Sequence, residues 1–200
     1  MSNTQTGRCS HFLRIVFAAL LALGAAGTSA QARPDPAALM KAQREAMAAL
    51  AFMDGVWRGT ASTLRADGSR HEITQTERIG PLLDGAVKVI EGRGYEPDGS
   101  TSFNALGIIS YNGATMAYSM RSYAMGFTGD YVFKRTPEGF SWEIPAGPMT
   151  IRYGAVVKDD TWTEVGERVV PGSEPVRFFE MKLKRVGDSE WTGAGAIPPK

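Results

Sequence analysis

Cysteine is almost missing: the 200-residue chain has one, Cys9, and only two histidines, His11 and His71. A zinc or copper site of the usual nitrogen and sulfur ligands needs more such groups than one chain offers here. A disulfide cannot form within the chain. Excess charge of one sign is missing too, with Lys plus Arg at 22, Asp plus Glu at 21 and a net charge of +1. Such a balance gives no electrostatic footprint for nucleic acid. No apolar run reaches the roughly 20 residues of a membrane-spanning helix. There is no G-x-S-x-G elbow to set a serine near His71, and no glycine loop placed before a helix to cradle phosphate. Asp159-Asp160 is too sparse for a carboxylate-only calcium site and reads as a hairpin turn. Neither an internal repeat nor a low-complexity tract is evident. No metal or other cofactor is therefore expected.

What remains is the composition of one globular domain, 43% hydrophobic and 22% charged. With Gly at 23 and aromatics at 10%, it points to a turn-rich β protein rather than a helical bundle.

The first 32 residues read as a signal peptide. Arg8 and Arg14 supply a positive start, Ile15 to Ala26 is apolar, and Ala30-Gln31-Ala32 is a small-residue cleavage site. Thr28-Ser29-Ala30 is a second cleavage option, and an uncleaved anchor is the alternative reading. Cleavage after Ala32 removes 32 of 200 residues, two of them basic and none acidic, so the mature net charge is −1. Cys9 and His11 leave with it, and Cys9 precedes the apolar run, where a lipoprotein's acylated cysteine would follow it. The expected location is periplasmic or secreted, with no integral membrane span after cleavage.

Residues 33–54 read as one helix. Asp35 is the N-cap, Pro36 opens the first turn, and Met40, Met47, Leu50 and Ala51 form an apolar stripe with Lys41 and Glu45 on the wet side. After Gly55 the period changes to two, and nine turn signals divide the chain into ten candidate strands. Among them are Asp67-Gly68, Pro97-Asp98-Gly99, Asn112-Gly113 and Asp159-Asp160. The pattern predicts an all-β, antiparallel barrel of eight to ten strands over 55–187, preceded by one N-terminal helix. Closure or a sandwich is needed to hide the sheet edges. Residues 188–200 read as a loose tail.

Gly55-Val56-Trp57 directly follows the helix and opens the first strand. The stretch Leu50 to Gly59, then Glu91-Gly92-Arg93-Gly94, Leu106 to Tyr111, Gly139 to Glu143, Trp162-Thr163-Glu164 and Leu183-Lys184-Arg185 continue the pattern. Together they resemble the bacterial secreted lipocalin-like proteins of domain of unknown function 1579. The resemblance implies a calycin-type barrel and carries no established activity. It also implies that Trp57 closes the barrel base under a basic residue from the last strand. Arg185 is the candidate, sharing strand parity with Met181 and Leu183. A more distant similarity to nitrobindin-type haem barrels implies an axial histidine late in the chain, whereas His71 falls on the second strand. Haem is disfavoured on that ground.

Candidate chemistry lies in charges on apolar strand faces. Ile73, Gln75, Glu77 and Ile79 share one face of the second strand; Val87, Val89, Glu91, Arg93 and Tyr95 share one face of the third. If both faces turn inward, Glu77, Glu91 and Arg93 meet in the lumen. The opposite register solvates these charges and turns Lys88 and Ile90 inward, and a single-residue slip decides between them. His71, beside Glu72, reads as a solvated strand end. Tyr118, Trp142, Tyr153, Phe179 and Met181 are the candidates to line an apolar cup; the same residues would equally fill a solid core.

Three functions follow as expectations. The first is an exported barrel binding a small apolar or amphipathic molecule. The second is a cofactor-free isomerase, cyclase or lyase with Glu77 or Glu91 as base and Arg93 or Arg121 stabilising an oxyanion. The third is a solid-core interaction module of the envelope.

Overall fold

A computed structural model describes residues 35–191. The expected signal segment and residues 192–200 of the expected tail lie outside the described residues. Helix α1 (Pro36–Ala48) is followed by a 3-10 turn (Ala51–Met53) and ten strands. The strands are β1 (Gly55–Leu64), β2 (Arg70–Leu82), β3 (Val87–Tyr95), β4 (Thr101–Asn112) and β5 (Ala117–Ala124), then β6 (Phe127–Arg135), β7 (Gly139–Ala146), β8 (Met149–Lys158), β9 (Thr161–Val169) and β10 (Val176–Gly187). Every strand pairs antiparallel with its neighbours in sequence, and β1 pairs with β10 to close the barrel. Closure satisfies both edges, as the strand pattern requires. No helix among the described residues is long and apolar enough to cross a membrane.

The turns have local causes. Met125-Gly126 and Asp159-Asp160 form two-residue connections in which both residues have positive φ, at 50°, 86°, 50° and 51°. That is the geometry matching the twist of two antiparallel strands. Gly and Asp suit it; Met125 is held there by the hairpin on either side.

The helix is shorter than the periodicity predicts. Asp35 caps it as expected, its Oδ1 accepting from the Ala37 N–H at 3.0 Å. It ends at Ala48, because the chain must turn to enter β1, and Met53 closes a tighter turn. Only the end of the expected stripe is covered: Met47 and Leu50 are buried, while Met40 and Ala51 are exposed. Helix and 3-10 turn stop one end of the barrel. Tyr118 Oη donates to the Ala46 carbonyl at 2.9 Å, and Arg135 Nε donates to that of Ala49 at 3.1 Å.

Beneath that stopper lies the solid part of the core. Trp57, Ile79, Ile109, Phe133, Phe140 and Leu183 are each at most 3% exposed. The Trp57 indole N–H donates to the Met53 carbonyl at 2.9 Å, and its ring meets Trp162 edge-on at 5.9 Å between centroids. Trp57 and Arg185 are directly opposed in the β1–β10 ladder. No guanidinium–indole stacking between them is found among the described residues. Arg185 instead donates from Nε to the Asp54 carbonyl at 3.2 Å and from Nη2 to Asp188 at 2.5 Å. It covers the backbone at the strand start, and Trp57 is held by the Trp162 ring and the Met53 carbonyl.

Residues 188–191 depart from the loose tail expected of them. They return to the barrel wall, where the Arg78 guanidinium lies 3.8 Å over the Trp191 ring. Gly80 makes that approach feasible, since a Cβ there would stand 2.6 Å from the indole nitrogen.

Candidate functional site

Above the stopper the barrel is hollow. A cavity of about 900 Å³ runs from the solid core to the mouth opposite the helix. Its wall is mostly apolar: Trp142 and Tyr153 stack 4.3 Å apart at 8°, and Tyr131 tilts against Trp142 at 5.7 Å. The mouth is mixed: exposed Arg65 and a hydrogen bond of 3.0 Å between His71 Nε2 and Glu96 Oε1 lie on its polar side, and exposed Met125 and Phe127 on its apolar side. Its size and lining are those of a small-molecule pocket.

Two carboxylates interrupt the apolar wall. Glu77, on the inward face of β2, is 8% exposed; one oxygen accepts from the Gln75 amide at 2.7 Å. Its other oxygen accepts no hydrogen bond among the described residues. Burial pushes Glu77 up to about 8; the Gln75 hydrogen bond draws it back, and the charges of Glu164 and Glu91 add to the rise. Glu164, on β9, is 7% exposed and accepts from the Trp142 and Trp162 indoles at 3.3 and 3.2 Å. Burial raises it to about 7, against the pull of those two N–H groups. Tyr153 is raised to about 12 by burial and by Glu164, so its hydroxyl is a neutral donor. Near the mouth, the Ser102 hydroxyl oxygen is buried and unpartnered among the described residues.

Glycines clear the space these groups need. A Cβ on Gly92 would stand 2.7 Å from a Glu77 oxygen, and one on Gly94 would stand 2.4 Å from Ile73. A Cβ on Gly166 would meet Tyr153 at 2.8 Å and Phe179 at 2.9 Å. The Gly92-Arg93-Gly94 run is thus a clearance for the face of β2.

The register of β3 corrects the expected lumen cluster. Directly opposed residues in an antiparallel pair share a face. Glu77 opposes Gly92, and Glu91 opposes Arg78, so Glu77 and Glu91 point to opposite sides of the wall. Glu91 lies outside, bonded to Arg78 at 2.6 Å and 3.5 Å from Arg93. Arg93 is outside with it. Arg121 is outside as well, paired with Asp130 at 2.7 Å and with the Tyr123 hydroxyl at 3.0 Å. Neither arginine can serve a lumen oxyanion.

Of the apolar candidates, Trp142, Tyr153, Phe179 and Met181 line the cavity. Tyr118 does not: it lies lower, its hydroxyl committed to the helix. Lys88 is also inward, 1% exposed, and its Nζ pairs with Asp54 at the barrel base. Glu164 was not singled out from the sequence. Its signal was available, because it alternates with Trp162 on one strand and so must share that residue's inward face.

Among the described residues no group of three His, Cys, Asp or Glu side chains is placed to hold a metal ion. A scan against protein-family models and a search of curated proteins both return no match.

Proposed function

We propose that the chain is an exported, lipocalin-like binding protein whose lumen holds one small, largely apolar molecule. The observation that carries this reading is the 900 Å³ cavity, walled by aromatic side chains, open at one end and stopped at the other by the helix. The signal-like N-terminus and the resemblance to the secreted lipocalin-like family support the export half of the proposal.

The enzymatic alternative has less support. Glu77 opens into the cavity, but Arg93 and Arg121, the cations assigned to the oxyanion, lie on the outer surface. A solid-core interaction module is disfavoured by the cavity itself.

The test is a fluorescence titration with 1-pyrenemethanol, a neutral apolar probe, on the wild type and on Ser122→Phe. Ser122 lines the cavity. One-to-one binding that Ser122→Phe weakens, with the melting temperature kept, supports the lumen as the site. Equal binding by both proteins, or none by either, overturns it.

A further inference from the structure

Among the described residues the lumen holds two buried carboxylates and supplies neither with a cation. Glu77 and Glu164 are on β2 and β9, and the polar groups that reach them are one amide and two indole N–H donors. All three donors favour oxygens that accept, which is the ionised form. Neighbouring elements bring no positive charge. β1 presents Trp57 opposite Glu77, β3 presents Gly92, β8 presents Tyr153 beside Trp142, and β10 presents Met181 opposite Glu164. Lys88 is held at the base by Asp54, while Arg65 and His71 stand at the mouth. The Glu91 charge acts on Glu77 from outside the wall. A buried charge with no partner is costly, and natural interiors pair or neutralise it.

Resting on the lumen-binding reading, we infer that the ligand is a hydrophobic amine. Its ammonium group occupies the space between Glu77 and Glu164, and its apolar body lies against the Trp142–Tyr153 stack. Glu77 lines the cavity with one oxygen that accepts no hydrogen bond among the described residues, and ammonium offers the donors it lacks. The aromatic faces on the same wall attract a cation through their quadrupoles. An ammonium beside the pair also favours their ionised forms, so carboxyl protons held near pH 7 leave as the amine binds.

Three probes with one ring system separate this from the parent reading: 1-pyrenemethylamine, 1-pyrenemethanol and 1-pyrenecarboxylic acid, titrated at pH 7.5. The amine is expected to bind at least about tenfold more tightly than the alcohol, with the acid weakest. In Glu77→Gln/Glu164→Gln the ratio of amine to alcohol affinity should collapse toward one. Calorimetry of the amine in buffers of different ionisation enthalpy should show proton release by the wild type that the double variant lacks. If the alcohol binds as tightly as the amine, or the acid binds best, the inference falls and the lumen reading stands. The same holds if the double variant keeps the amine's advantage. If none of the three binds, both fall.

Discussion

The Glu77 carboxylate rests on the bare backbone of Gly92, the residue opposite it across the β2–β3 ladder. A methyl group at position 92 would approach a carboxylate oxygen to 2.7 Å, closer than packed atoms tolerate. Glycine there has a defined purpose: it leaves room for a carboxyl side chain on an otherwise apolar face.

Gly92→Ala should therefore displace Glu77 and destabilise the fold by about 1–3 kcal/mol, the usual range for overpacking. In a Glu77→Ala background the same substitution should cost clearly less, because the group it collides with is gone. Chemical denaturation of the two single variants and the double variant gives the coupling. An unchanged cost in both backgrounds would show that the clearance is not what Gly92 provides.

Burial of the two glutamates makes the free protein sensitive to pH in an unusual direction. Their ordinary value is 4.5, and the fold raises Glu77 to about 8 and Glu164 to about 7. Between those limits the folded state holds protons that the unfolded state releases, so these groups lower stability as pH rises. Each contributes a slope of up to about 1.4 kcal/mol per pH unit, ending near pH 7 for Glu164 and pH 8 for Glu77. Urea denaturation at pH 5.5 and 8.5 should show the decline in the wild type and a flatter profile in Glu77→Gln/Glu164→Gln. Equal profiles would contradict the burial of both groups in ionisable form.

At the barrel base, Lys88 and Asp54 form an ion pair with unequal partners. The Lys88 side chain is 2% exposed and that of Asp54 is 29% exposed. Asp54→Ala leaves an ammonium without a partner in the interior and should cost about 3–5 kcal/mol. Lys88→Met leaves a carboxylate that water can reach and should cost less. A reversed order in melting temperature would overturn the assignment of Lys88 as the buried charge.

Trp57 and Arg185 differ in the same way. Trp57→Ala removes a buried ring in contact with Trp162 and a hydrogen bond to the 3-10 turn, and should cost about 3–5 kcal/mol. Arg185→Ala loses hydrogen bonds at a partly exposed surface and should cost about 1 kcal/mol. Thermal unfolding of both variants checks the order.

The barrel was legible because its signals are local. Period-two patterning and turn residues such as Asp159-Asp160 and Gly126 mark each strand without reference to its partners. The site was legible only in part. Ile73, Gln75 and Ile79 place Glu77 on one face of β2, and the structure turns that face inward. For Glu91 and Arg93 the sequence leaves both faces open, because the face of β3 depends on the length of the turn before it, and one residue inverts it; the structure takes the register that solvates them. On β3 the apolar Val87 and Val89 lie on Glu91's face, while the inward face carries Lys88, Ile90 and two glycines. Hydrophobicity is therefore divided between the two faces there and does not choose the register. Glu164 required the parity of Trp162 to be carried two residues further.

Native mass spectrometry of the protein purified from its own host tests the central claim most directly. A one-to-one complex with a small molecule is expected, retained by the wild type and lost from Ser122→Phe produced in the same cells. A bound mass that persists undiminished in Ser122→Phe, or none on either protein, would contradict a ligand-filled lumen.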